Sequence, residues 1–225
     1  MYENGYVPPI LTVDSIIFQL IENTLNVLLI ERQREPFKGY WALPGGYNAA
    51  GETTREAMSR VLEAKGGIPV SKLALIEQLY TFDTVARDPR GHAVSVSYMG
   101  LGRGLTPQLG NTTQHPRFFP VPHLPKLAYD HAAIISYAHE RLRSKLEHTT
   151  TCVALLPEAF TLTELQSAYE AVLGHEFDKR NFRKKFLSLD MIEETGDSRR
   201  EGAHRPARLY RFKSKTIERL VHNFD

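Results

Sequence analysis

Residues that could do chemistry gather between Leu43 and Ile68, in the run LPGGYNAAGETTREAMSRVLEAKGGI. In Leu43-Pro44-Gly45-Gly46 the two glycines lack the side chains that would keep a phosphate away from backbone N–H groups. The start of the helix that follows favours an anion. Helical periodicity is predicted from Glu52 to Lys65. At about 100° per residue, Val61, Ala64 and Lys65 share one face. Glu52, Glu56 and Glu63 lie on roughly the opposite side, where Arg55 or Arg60 can pair with them. A hard divalent cation is held by several carboxylate oxygens, and a face of valine, alanine and ammonium supplies none. The expectation is an anion site built on Gly45, Gly46 and Lys65, with no metal, no catalytic residue and no required cofactor.

The spacing resembles the Nudix box, whose family pattern is G-x5-E-x7-R-E-U-x-E-E-x-G-U, with U aliphatic. Gly46, Glu52, Arg60, Leu62, Gly67 and Ile68 fall on it. Val61, Ala64 and Lys65 stand where the family carries its metal-ligating glutamates. The resemblance implies an α/β Nudix-type sandwich and a pocket for a nucleoside diphosphate compound. Nudix hydrolysis needs Mg²⁺ or Mn²⁺ to neutralise charge at phosphorus, so binding without cleavage is the expectation here.

The chain of 225 residues suits two domains or one large one. Hydrophobic content of 42% and charged content of 24% are ordinary for a globular protein. No apolar run is long enough to span a membrane, and MYENGYVPPI lacks the basic and apolar regions of a signal peptide. One cysteine, Cys152, cannot form an internal disulfide, which points to a reducing cytoplasm. It reads as a small core residue.

Several elements must position the loop. Ser15 to Leu20 and Leu25 to Glu31 read as a β-hairpin across Glu22-Asn23-Thr24. Arg32 and Arg34 follow the second strand. One of them could serve a phosphate, although a solvated strand end accounts for them as well. Trp41 to Gly46 is a short strand and turn, with Trp41 expected at the ligand. Leu73 to Phe82 and His92 to Gly102 are predicted strands, joined by a turn holding Arg87-Asp88-Pro89-Arg90-Gly91. Arg87 and Arg90 sit on that loop as ligand candidates, although a turn fixed by Asp88 and Pro89 explains them too. Tyr80 and Phe82 offer an aromatic face for a base, and Phe82 joins the candidate ligand set. Phe118 to Val121 is a last short strand. Asp130 is expected to cap a helix running to about Leu146, with Asp130 and His131 assigned to capping and packing. The polar break Glu147 to Thr151 sets the expected boundary, giving a sensing domain over 1–148 and a second domain over 149–225.

Charge divides along the chain. Asp178 to Lys213 carries eleven Lys/Arg against six Asp/Glu, a local +5 within a whole-chain +2. Thr161 with Glu164 forms a capping box for a helix whose apolar face is Leu162, Leu165, Tyr169 and Val172. Gly174 ends that helix, and Asp178 caps a second one, DKRNFRKKFLSLDM, with Phe182, Phe186, Leu187 and Leu189 apolar. Ile192 to Thr195 and Ala207 to Phe212 read as strands joined by the basic loop GDSRREGAHRP. Helix, turn, basic helix and hairpin make a winged helix-turn-helix. Arg180, Asn181 and Arg183 are placed to meet base edges. Lys179, Lys184 and Lys185, with Arg199, Arg200 and Arg205 of the wing, suit phosphates. A solvated basic helix that docks a protein is the plainer alternative.

Together the halves resemble the Nudix-related transcriptional regulators of NAD metabolism, the NrtR type. The shared features are the LPGG turn with its altered box, the LAYDH segment, and the LTELQ…YEAVLG…DKRNFRKK…RLYRF tail. The resemblance implies a homodimeric repressor of NAD biosynthesis or salvage genes, bound to near-palindromic double-stranded DNA and responsive to ADP-ribose. Some relatives of this layout respond to sugars such as arabinose. A working Nudix pyrophosphatase with an accessory DNA-binding domain is the rival reading.

Overall fold

The computed structural model describes residues 7–108, 115–200 and 206–220. Its contacts gather into two compact units. One holds the described chain up to Phe18 with Val27–Ala138, the other Gln19–Asn26 with the described residues from His139 onward.

The first unit is built on a mixed sheet in the order β3-β2-β1-β6-β5, with β4 pairing β1 and β7 pairing β2. Strand β1 (Ile10–Ile21) is buried continuously from Val13 to Gln19. It runs parallel to β6 (Ala93–Leu101), with Val13 opposite Val96. Such a run marks a strand covered on both faces. Strand β2 (Thr24–Glu31) returns across a turn in which Glu22 and Asn23 both have positive φ. That handedness matches the twist of a two-residue hairpin. The short strands β3 (Trp41–Ala42) and β4 (Gly45–Tyr47) bracket the glycine turn. Strand β5 (Leu75–Phe82) pairs β6 antiparallel with a bulge at Gln78/Tyr80, and β7 spans Arg117–Pro120.

Helix α1 (Thr54–Val61) begins two residues later than the Glu52 start that the periodicity predicts, because the capping box is Thr53 with Glu56. Its apolar face, Ala57, Met58 and Val61, packs on Val13, Ile17, Leu28 and Tyr98. Burying Met58 fully is worth about 1.5–3 kcal/mol. After Val61 the chain widens into a π turn over Leu62–Gly66 and stops at Gly67, φ 65°. A side chain at Gly67 would meet the Gln108 carbonyl oxygen at 2.0 Å, so both handedness and space require glycine.

Helix α2 (His131–His148) starts in the first unit and ends in the second, and the predicted boundary falls at its C-terminal end. In the second unit α3 (Leu162–Leu173) carries the Thr161–Glu164 capping box and ends on left-handed Gly174. Asp178 caps α4 (Lys179–Ser188) by accepting from the Asn181 N–H. Strands β8 (Ile192–Arg199) and β9 (Ala207–Phe212) form the wing, and Phe160 bridges to Tyr210. Phe160, Tyr169, Phe182, Phe186 and Phe212 make the aromatic centre of this unit. Cys152 is buried, which pushes its thiol pKa up and keeps it in the core. Leu187, expected on the apolar face, is 45% exposed: Phe182 and Phe186 cover the core one turn apart and leave Leu187 to the side.

Candidate functional site

A cleft of about 380 Å³ opens in the first unit where β1, β2, β4, α1 and two loops converge. Arg32, Gly45, Gly46, Lys65, Arg87 and Arg90 line it, together with Thr12, Asp14, Tyr47, Arg60, Val61, Asp88, Tyr129 and His131. Six of the eight residues expected at a ligand are thus brought together. Trp41 and Phe82 are not among the lining. Strand alternation explains Trp41, because Ala42 beside it faces the cleft. The indole packs instead against Phe119 at 4.5 Å, with Arg117 over its ring. Phe82 stacks edge-on with Tyr80 and Tyr137, away from the cleft.

Lys65 reaches into the cleft from the π turn, and its ammonium donates to the Gly45 carbonyl at 2.6 Å. Burial pushes its pKa down, and the Asp14 carboxylate opposes that shift. Val61 lines the same wall, whereas Ala64 does not. The expectation that 61, 64 and 65 share one face holds only for a regular helix. The π turn intervenes between Val61 and Lys65 and turns Ala64 aside. Two of the three remaining acids of the box are engaged elsewhere, and Glu63 is exposed outside the cleft lining. Glu52 accepts from Arg60, and Glu56 accepts from the Thr53 backbone. These residues do not fit a divalent cation.

Behind Gly45 lies a buried polar network. A side chain at Gly45 would fall 2.0 Å from Asp14 Oδ1, so glycine is what lets the turn pass the carboxylate. Asp14 accepts from Ser95 Oγ and lies 3.5 Å from Arg87. Arg87 donates through Nε and Nη2 to both oxygens of Asp130, at 2.9 and 2.8 Å. Asp130 was expected to cap α2. Its carboxylate is taken by Arg87, and its backbone carbonyl accepts from the Ile134 N–H. Asp88 holds Arg90 through three donor contacts, which keeps the Asp88 carboxyl below the usual range and presents Arg90 to the cleft. Turn fixation and cleft lining therefore coincide in this loop.

His131 packs as expected. Its Nδ1 accepts from the Leu43 N–H at 2.9 Å, which places the hydrogen on Nε2, 3.6 Å from Asp14. Burial holds its pKa below the ordinary value, against the pull of Asp14. A depressed folded pKa means the unfolded chain takes the proton first as pH falls. Stability from this group is full above about pH 6.5 and is lost as pH drops towards the folded value, by up to about 1.4 kcal/mol per pH unit. Urea unfolding at pH 7.5, 6.5 and 5.5 should show this slope, and His131→Gln should flatten it. Identical slopes in the two proteins would remove the assignment.

In the second unit, Lys179, Arg180, Asn181 and Lys184 are exposed on α4, and Arg200 is exposed at the end of the wing strand. Lys185 is half-buried. Arg183 is held against α3, donating to Thr163 Oγ1 at 3.1 Å. Arg199, expected in the loop, lies on β8, and its guanidinium pairs with Glu164 of the α3 capping box. The loop reading stopped the strand at Thr195, but pairing resumes at Ser198 opposite Arg208 beyond a bulge. Arg205 lies outside the described residues.

Sequence reasoning missed Asp14, Asp88, Tyr129 and His131 as cleft residues. A carboxylate inside the apolar run Thr12 to Phe18 was a signal for Asp14. The LAYDH segment, noted only as a likeness, carries two of the others.

A Nudix-type domain with a basic cleft, followed by a winged helix with an exposed basic helix, is a two-part regulator in its architecture. Residues 11–138 match the NUDIX domain and residues 152–212 the NrtR DNA-binding winged helix domain. The chain is 37% identical over 217 residues to the ADPR responsive transcriptional repressor NtrR of Acinetobacter baylyi, covering 93% of this chain and 84% of that one. It aligns with Shewanella oneidensis NrtR complexed with a 27mer DNA at a TM-score of 0.79 and 33% identity, over 96% and 99% of the two chains. The NUDIX domain of the Shewanella protein, complexed with ADP ribose, aligns at 0.57 and 31% identity over 63% of this chain and 94% of that one. The chain belongs to the NrtR family of Nudix-related transcriptional regulators.

Proposed function

We propose that this chain is a DNA-binding repressor whose Nudix domain, within 1–148, binds ADP-ribose or a closely related nucleoside diphosphate without hydrolysing it. Residues 149–225 carry the DNA-binding surface. The observation that carries the reading is Lys65. An ammonium bonded to Gly45 stands where hydrolysis needs acids, inside a cleft lined by four arginines. The cation count suits a diphosphate, and the glycine turn allows its close approach. The ADPR responsive relative and the ADP ribose complex of the Shewanella NUDIX domain support ADP-ribose as the ligand. NAD biosynthesis or salvage genes as targets, a cytoplasmic location and a homodimer belong to the same proposal. No helix among the described residues is long and apolar enough to cross a membrane.

A ligand that changes DNA binding must favour one state of the protein over another. The test is a mobility shift against fragments from the upstream regions of NAD genes, with and without ADP-ribose. AMP release is followed in parallel with Mg²⁺ and with Mn²⁺. Expected are a specific shift that ADP-ribose changes and no turnover at enzymic rates. Rapid hydrolysis would replace this reading with the rival pyrophosphatase.

The α4 side chains separate by their placement. Arg180→Ala, from an exposed position at the start of the helix, should cost about 1–3 kcal/mol of operator binding and relax preference at one base pair. Lys184→Ala should weaken all sequences alike and reduce the salt slope by about 1. Arg183→Ala should lose operator preference by unseating α4 from Thr163. Anisotropy titrations against operator and scrambled duplex measure all three, and uniform behaviour of the set would sink the helix assignment.

A further inference from the structure

We propose that Tyr129 binds the ligand, its phenolic hydroxyl donating a hydrogen bond to a phosphate oxygen of the nucleoside diphosphate in the cleft. This rests on the ligand reading above and adds a residue to it. Tyr129 lines the cleft, and its hydroxyl is buried with no hydrogen-bond partner. Buried hydroxyls are nearly always partnered, so an orphan at a cleft wall calls for an acceptor that arrives from outside. Arg32 stands 4.7 Å from the ring centroid and Arg90 5.7 Å. Two guanidinium groups beside one phenol define a place for an anion, which selects a phosphate oxygen over a neutral one. Burial raises the phenol pKa while Arg32 and Arg90 draw it down, so the group stays a donor near neutrality.

The backbone supports the same reading. Tyr129 sits at φ 53°, a conformation that costs an aromatic residue strain. It is kept there from both sides. The Ala128 N–H donates to the Trp41 carbonyl at 2.8 Å, and the Asp130 carboxylate is clasped by Arg87. Phe37 meets the ring edge-on at 4.8 Å. Strain and an orphan hydroxyl together would be costly if the phenol served only to fill space, since phenylalanine would fill it without the orphan.

Tyr129→Phe tests the proposal, because removing an unpartnered hydroxyl leaves the packing intact. Calorimetric titration with ADP-ribose should show affinity reduced roughly tenfold or more. Inorganic pyrophosphate should lose affinity in the same proportion, while weak binding of adenosine should stay unchanged. Urea unfolding without ligand should show the variant at least as stable as the parent. Equal ADP-ribose affinity overturns the proposal, and so does a variant less stable without ligand, since that reveals an internal partner. A parent protein that binds no ADP-ribose at all would instead remove the ligand reading itself.

Discussion

Arg87→Ala is expected to destabilise the first unit by about 3–5 kcal/mol, the usual result of removing one partner from a buried ionic group. The side chain of Arg87 is only 5% exposed, and it stands between Asp14, 7% exposed, and Asp130, 20% exposed. Without the guanidinium, two carboxylates share a poorly solvated space with one neutral imidazole. They must either protonate or draw in water. Arg87→Lys keeps the charge but cannot make the two-pronged contact to Asp130, so a smaller loss is expected from it. The wing pair Arg208–Glu194 is a useful contrast. Its side chains are 73% and 47% exposed, so solvent screens the pair and breaking it should disturb stability far less than Arg87→Ala does. Guanidinium or urea unfolding of the three variants measures the ranking. If Arg87→Ala costs no more than the wing pair, the network is not the foundation of the cleft.

The second large effect comes from reversing the charge of the Lys65 wall. Binding of ADP-ribose by the parent protein should be the same in EDTA as in Mg²⁺, because the neutralising charge is built in. In Val61→Glu/Lys65→Glu the wall becomes doubly acidic beside Asp14. A pair of unit charges about 4 Å apart is worth about 4 kcal/mol at an effective dielectric constant of about 20. Turning one attraction into repulsion should therefore lower affinity in EDTA by at least about a hundredfold. Adding Mg²⁺ should restore part of it, since two carboxylates and an adjacent carbonyl begin a hard-cation site. Ala64 is left out because it does not line the cleft. Titration calorimetry in the two buffers decides the matter, and parent binding abolished by EDTA would refute the role given to Lys65.

Much of the molecule was legible in the order of its residues. Thr161 with Glu164, Gly174 and Asp178 announced two helices and the turn between them, since caps act on their own backbone a few residues away. Val61, Ala64 and Lys65 marked an altered Nudix box directly, since residue type alone decides whether those three positions offer carboxylate oxygens. Tertiary structure decided the rest. A tryptophan one residue before Ala42 stays out of the cleft lining because β3 pairs with β2 in that register. Tyr129, distant in sequence from Arg32 and Arg90, meets them only after the sheet has formed. Arg199 turns from a loop cation into the partner of Glu164 because β8 runs on past its bulge. Local signals fix which groups a segment offers. Which groups then face one another depends on strand register and on packing between distant segments, and no short stretch of residues contains that.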